Sequence, residues 1–426
     1  TYGQLNLGAP FNGGAGAIAL GNSNAFTGPI ICNSNYFIIS SIANGGAQIA
    51  DAVALTAGDN FFTYTGTAWD AAQVGQGVWL PAADTASLLP LPAGTTITAV
   101  DTANKKITLS ANAVADSTSA AGWIGYPNAL GFSTSDSANF VFNGNLRPTL
   151  RYTGPTASTD RDYLRAPSSY IDVVNAAANL TLSGSCFTTN NNAWVKRGPG
   201  RLTLTGTAAT ATQNNRAPLL IDAGAGSVFL NSPGLLTFVD TINPASSSAV
   251  KVNPGTVFGG DGTIARGFLE GIANSATLPA GVIAPGQDGQ VGTLTVGGLF
   301  LRGTNTLLYD IVDTANCDRI VSTNFINTPA GVAPDNIVHV VLNGSPTLAN
   351  EHYTLMTAGV SIGGSAANWT VDTAPPSGQI YSIVYDTVGT PKKLVLHVSY
   401  PAMIETLPTA GAAIFGQPLS GVTLSG

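Results

Sequence analysis

The chain is short of charge. Lysine and arginine together number 16 and aspartate and glutamate 23 in 426 residues, so 9% of the side chains are charged, where about 25% is usual. From Thr1 to Ala50 there is no charged side chain at all, and the first is Asp51. So few cations, with a net charge of −7, argue against nucleic acid or an anionic lipid surface as a partner. Long apolar runs are missing too. None approaches the roughly 18 residues that cross a bilayer, and no basic segment followed by an apolar one opens the chain. The opening Thr1-Tyr2-Gly3 carries no Met, and the expectation is that a leader has been removed or the chain trimmed. Cysteine is limited to Cys32, Cys186 and Cys317. At most one internal disulfide can form, the spacing does not suggest a metal site, and buried free thiols are expected. No metal constellation, phosphate loop or paired-carboxylate signature stands out, and no cofactor is expected.

What is abundant is glycine, 50 residues of it, in a chain of mean hydropathy +0.22. A sequence poor in charge but interrupted throughout by Gly, Asn, Ser and Thr reads as all-β. Between Trp194 and Ile311 short strands alternate with glycine turns. Leu202 and Leu204, Val250 and Val252, and Leu294 and Val296 sit two apart with Thr or Lys between them, the period of a strand with one dry face. Each strand is too short to make a core alone. Stacking many turns, each giving one or two inward side chains to a continuous column, solves that, and such a stack grows in one dimension without the usual limit on core size.

The phrases Lys196-Arg197-Gly198-Pro199-Gly200-Arg201-Leu202-Thr203-Leu204-Thr205-Gly206, Gly259-Gly260-Asp261-Gly262-Thr263-Ile264, Ile283-Ala284-Pro285-Gly286 and Gly292-Thr293-Leu294-Thr295-Val296-Gly297-Gly298-Leu299 resemble the autotransporter-associated β-strand repeat of exported bacterial surface proteins. Further pieces near Leu20–Gly28, Phe142–Gly154 and Thr159–Gly184 extend the resemblance over most of the chain. The resemblance implies a right-handed parallel β-solenoid (β-helix) outside the cell, in an exported bacterial protein. It implies no particular activity, because the repeat is a scaffold.

The expected organisation is N-terminal solenoid strands over 1–50, a small inserted β module over 51–122, the main solenoid over 123–326, a C-terminal antiparallel β cap over 327–403 and a strand-forming tail over 404–426. The module is suggested by runs of different texture, among them Ile97-Thr98-Ala99-Val100 and Lys105-Lys106-Ile107-Thr108-Leu109, joined by an Asp101-Thr102-Ala103-Asn104 hairpin turn. Insertions in repeat proteins are often the contacting part. Alanine-rich 47–57 has the composition of a short helix. The cap is read from Ile337–Leu342, Tyr353–Met356, Ile380–Tyr385 and Lys393–Val398, all antiparallel in appearance. The tail resembles the opening strands of bacterial immunoglobulin-like repeats, and at its length it is expected to dock on something larger.

The charge cluster Arg151, Asp160, Arg161, Asp162 and Arg165 has two readings: a polysaccharide-cleaving site, or a turn whose Asp-Arg pairs bridge adjacent strands. The second is favoured. Gly359-Val360-Ser361-Ile362-Gly363, with Asp386 and His397 after it, fits the letters of a nucleophile elbow, but no helical pattern follows the serine. Gly260-Asp261-Gly262 and Gln287-Asp288-Gly289 lack the tandem calcium-turn pattern. Asn190–Asn192 and Asn214-Asn215 read as stacked amides or turns. Trp69, Trp79, Tyr152 and Trp369 are candidates for a sugar-binding strip.

The leading expectation is a non-enzymatic structural subunit of an extracellular filament or surface assembly. Copies join head to tail through charge-free ends, by strand addition at an edge that charge does not protect. The contact residues expected are Leu5, Leu7, Phe11, Ile414, Phe415, Leu419, Val422 and Leu424. The alternative is a monomeric surface adhesin or glycan-binding passenger with 51–122 as its contact module; a polysaccharide lyase ranks last. The partners expected are other copies of the chain and a glycan or a host or biofilm surface.

Overall fold

The computed structural model describes residues 5–7, 17–21, 24, 29–33, 36–81, 89–92, 94–131, 134–143, 147–165, 168–188, 193–206, 219–231, 235–236, 248–272, 277–287, 289–328, 337–344, 346–376, 378–386, 388–400, 409–410 and 424–425. Among them the chain is all-β. Its helical turns are three short 3-10 segments, Ala68–Ala71, Ser137–Asn139 and Ala366–Asn368.

Three large sheets, of sixteen, nine and five strands, carry most of the chain, and their pairing is mostly parallel. Consecutive strands visit the sheets in turn. Thr149–Tyr152 lies in the sixteen-stranded sheet, Ala157–Thr159 in the nine-stranded and Tyr163–Arg165 in the five-stranded; Ser169–Val173, Asn179–Leu182 and Cys186–Thr188 repeat the order. Register then stacks like on like. Leu180, Leu202, Val228, Phe258, Ile283, Leu307 and Val340 are successive partners across the nine-stranded sheet, and none is more than 1% exposed. A second column, in the sixteen-stranded sheet, runs Trp194, Leu219, Val250, Leu269, Leu299 and Ile326.

 Each member of this second column is 1% exposed or less. The paired positions Leu202 and Leu204, Val250 and Val252, and Leu294 and Val296 all point into this core, as their two-residue period predicts. Burying each such side chain contributes about 1.5 to 3 kcal/mol, so the stack is held by many equal increments.

The glycine phrase at 196–206 has a physical cause. Lys196 occupies an inward slot between Ile171 and Ile221 and is fully buried. Its ammonium donates to the carbonyls of Arg197, Gly198 and Ala225 at 2.8 to 2.9 Å, so it ties two neighbouring turns together. Burial pushes it down to about 8, against the pull of Asp172. Gly198 has φ +70° and a Cβ there would sit 2.4 Å from the carbonyl oxygen of Val173, so a side chain is excluded by both conformation and space.

The ladder has one large interruption, and it closes over it. Tyr36–Ile39 pairs directly with Thr149–Tyr152, and Ile30–Cys32 with Phe140–Phe142. The chain between them therefore leaves the stack and returns to the next position in register. The described residues of 47–125 form two antiparallel sheets there. The five-stranded one is ordered Ser117–Ser119, Val53–Leu55, Phe61–Tyr64, Lys106–Leu109, Ile97–Asp101, and the three-stranded one Ala47–Ile49, Gly122–Gly125, Gly77–Trp79. They enclose a separate hydrophobic cluster around Trp69, Phe62 and Ile107, all fully buried. The hairpin turn at Asp101–Asn104 forms as expected, with Asn104 donating to both carboxylate oxygens of Asp101.

Two expectations are corrected. Residues 47–57 are strands, not a helix, because Ala47–Ile49 pairs with Gly122–Gly125 and Val53–Leu55 with Ser117–Ser119 and Phe61–Tyr64. Val338–Leu342 is not antiparallel: it pairs in parallel with Asn305–Tyr309 and Trp369–Val371 and continues the nine-stranded sheet. Antiparallel pairing at this end begins only where Lys392–Ser399 joins His352–Ala358 on one side and Ile380–Asp386 on the other.

Candidate functional site

The base of the 47–125 region is pinned by the Thr159-Asp160-Arg161 phrase. Arg161, 1% exposed, donates to the carbonyls of Ala43, Asn44 and Gly131, and Asp160 accepts from the Gly45 amide at 2.7 Å. These bonds fasten the outgoing and returning chain to the stack. Burial pushes the guanidinium down to about 10, and the nearby Asp160 opposes that. Arg165 is also 1% exposed, within reach of the Cys186 thiol and the Ser169 hydroxyl. Asp160, Asp162 and Arg165 thus do not converge on an open surface: two of the cluster's arginines lie in the interior. Arg151 does bridge adjacent strands, to Asp172 at 3.5 Å.

The aromatic residues divide. Trp69, Tyr152 and Trp369 are buried, so a sugar-binding strip through them is ruled out: Trp69 centres the 47–125 cluster, and Tyr152 donates to the Pro155 carbonyl inside the stack. Trp79 is half-buried, and opposite it lies Trp123, edge to face at 4.8 Å. Exposed Gln48 is the next partner in register, and exposed Tyr126 donates to Gln73 at 2.8 Å. The 47–125 region therefore presents indoles and amides on the face away from Val78 and Ile124, which are buried. Trp123 was not singled out by the sequence; its position two residues from Gly125 in a strand facing Trp79 depends on pairing that no local period encodes.

Of the candidate contact residues, Leu5 and Leu7 lie in a strand at the edge of the five-stranded sheet, paired on one side with Ile30–Cys32. Ala17–Leu20 is likewise the edge of the sixteen-stranded sheet, with Ile18 and Leu20 half-buried. Leu424 lies in a strand that pairs with Thr409–Ala410. Phe11, Ile414, Phe415, Leu419 and Val422 lie outside the described residues, as do Asn190–Asn192, Asn214-Asn215 and Asp288.

Ser361 sits in the two-residue strand Ser361–Ile362, which is followed by the 3-10 turn Ala366–Asn368 rather than by an α-helix. The His397 ring stacks on His352 at 4.4 Å. Cys32, Cys186 and Cys317 are buried thiols; burial pushes the Cys32 thiol up. Among the described residues no three His, Cys, Asp or Glu side chains are grouped as metal ligands, and no helix is long and apolar enough to cross a membrane. Asp318 was not singled out by the sequence either. Its two carboxylate oxygens accept from the amides of Gly292 and Asp310 at 2.7 Å each, clamping two turns together, and burial pushes it up to about 7.

No family model matches the chain. Over 197 residues it is 30% identical to the adhesin BmaC autotransporter of Brucella suis biovar 1 (strain 1330), a stretch that is 43% of this chain and 6% of that protein. The chain therefore spans only a small part of the length of the relative it matches.

Proposed function

We propose that the protein is a bacterial surface or extracellular adhesin segment, in which a right-handed β-solenoid serves as a shaft and the 51–122 module as the contact element. The observation that carries this reading is the 30% identity over 197 residues to an autotransporter adhesin. The architecture supports it: parallel sheets whose consecutive strands alternate between faces suit a shaft, and a module that leaves and re-enters the stack in register adds a contact face without breaking the column. In this reading residues 1–50 and 123–326 form the shaft, 327–403 its cap and 404–426 a strand-forming tail. The protein is non-enzymatic, needs no cofactor, and meets a glycan or a host or biofilm surface.

The test is attachment. Beads coated with the chain should adhere to host cells or to a biofilm surface, and replacing 51–122 with a two-residue Asn-Gly turn should abolish adhesion while the rest stays folded. Adhesion that survives the replacement undiminished would remove the module from its role.

A second reading, head-to-tail assembly of copies, draws on the edge strands Leu5–Leu7 and Ala17–Leu20, each paired on one side only among the described residues. Parallel edges of this kind accept a further strand. Electron microscopy at high concentration separates the two: fibres with a repeat of one chain favour assembly, and isolated particles count against it.

A further inference from the structure

The outward side of the nine-stranded sheet is not uniformly filled. Across paired strands its outward positions run Thr203, Phe229, Gly259 and Ala284, with Leu308 next to Leu307 on the following strand. Ala284 offers only a methyl group, and a hollow of about 360 Å3 lies between Phe229 and Leu308. Beside it the strands pack closely: a Cβ on Gly259 would sit 2.1 Å from the Ala284 carbonyl oxygen, so only glycine fits there. At one end the Arg201 guanidinium lies 4.3 Å from the centre of the Phe229 ring. At the other, Asp310 accepts from the Asn343 amide at 2.8 Å. From the Arg201 strand to the Asn343 strand is five steps across the sheet, or about 24 Å at ~4.8 Å each.

The chemistry narrows what fits. Each strand beneath the hollow is already paired on both sides, so its backbone cannot take up a peptide by strand addition. Recognition falls to side chains. Among the described lining residues one guanidinium and one carboxylate at opposite ends balance, which favours neither a polyanion nor a polycation. The floor is aliphatic and flat at Ala284 and Leu308, and the rim is planar and polar at Arg201, Asp310 and Asn343. A pyranose ring has the matching surfaces, an apolar C–H face and a border of hydroxyls that can both donate and accept.

We infer that this hollow is a binding groove for a linear, uncharged oligosaccharide lying across the strands. The inference rests on the extracellular reading above but uses a different part of the molecule from the 51–122 module.

The test is binding of the purified chain to an array of neutral α- and β-linked hexose and pentose oligomers, with uronate oligomers alongside. Neutral oligomers should bind, more tightly with length until the groove is spanned. Asn343→Ala and Asp310→Ala should each weaken binding about tenfold, and Ala284→Trp, which fills the floor, should abolish it. Asn343 is exposed, so its variant keeps the test valid if Ala284→Trp fails to fold. No neutral oligomer bound by the wild type, preference for uronates, or unchanged binding by Asn343→Ala and Asp310→Ala would each overturn the inference. Bead attachment measured in parallel separates the two claims. Attachment without oligomer binding removes the groove and leaves the adhesive reading standing, whereas oligomer binding without attachment does the reverse.

Discussion

The stacked sheets and the 47–125 region dry their β-strands in opposite ways. In the stack, each strand gives one or two side chains to columns that pass through every neighbour, as from Leu180 to Val340. In the 47–125 region, two antiparallel sheets close around one centre, Trp69. The first arrangement spreads stability along a line and tolerates length; the second concentrates it in a few large side chains. Because the 47–125 region has its own core and the strands on either side of it pair directly, it can change without disturbing the columns.

The comparison can be broken by substitution. Trp69→Ala should cost about 3 to 5 kcal/mol and unfold the 47–125 region alone. Near-ultraviolet dichroism should lose the aromatic signal of that region while far-ultraviolet dichroism keeps most of its strand signal; loss of both would join the two regions into one cooperative unit. Leu202→Ala, in the middle of a column, should cost about 2 to 5 kcal/mol and lower the denaturant midpoint of the stack without altering the signal from Trp69.

A smaller effect sharpens the picture of the turns. Burial pushes Asp318 up to about 7 in the folded chain, against an ordinary value near 3.9 for the unfolded one. The folded chain thus holds the extra proton between these values, so the stability from this group is fully present below about pH 4 and is lost as pH rises through about 7. The slope is at most about 1.4 kcal/mol per pH unit, tempered by the two amides that the ionised form accepts. Denaturant midpoints should be higher at pH 5 than at pH 8, and Asp318→Asn should flatten the difference. A midpoint that rises with pH in the wild type and not in the variant would reverse the sign of this account. The smallest effect is expected on the outer surface, where Arg151→Ala removes a half-exposed pair with Asp172 and should change stability by less than about 1 kcal/mol.

The inward residues of the stack were legible because a strand's period is local: Leu202, Leu204, Val250, Val252, Leu294 and Val296 declare their side two residues at a time. The hairpin at Asp101–Asn104 was legible for the same reason. What failed depends on partners distant in sequence. Val338–Leu342 has the same alternation whether its neighbour runs parallel or antiparallel. The burial of Lys196 has no local signal, since it depends on the carbonyls of Arg197, Gly198 and Ala225 coming around its ammonium. Trp69 and Tyr152 have the composition of a binding strip, and only packing reveals that they are core. The hollow near Ala284 has no local signal at all, since its lining comes from strands that only sheet register brings together.

The most direct test of the central claim is amide hydrogen exchange on the chain in which an Asn-Gly turn replaces 51–122. If the stack closes over its insertion, protection of Tyr36–Ile39 and Thr149–Tyr152, which pair directly, should match that in the intact chain. Loss of protection in both strands would mean that the inserted region holds the stack together, and would contradict the account.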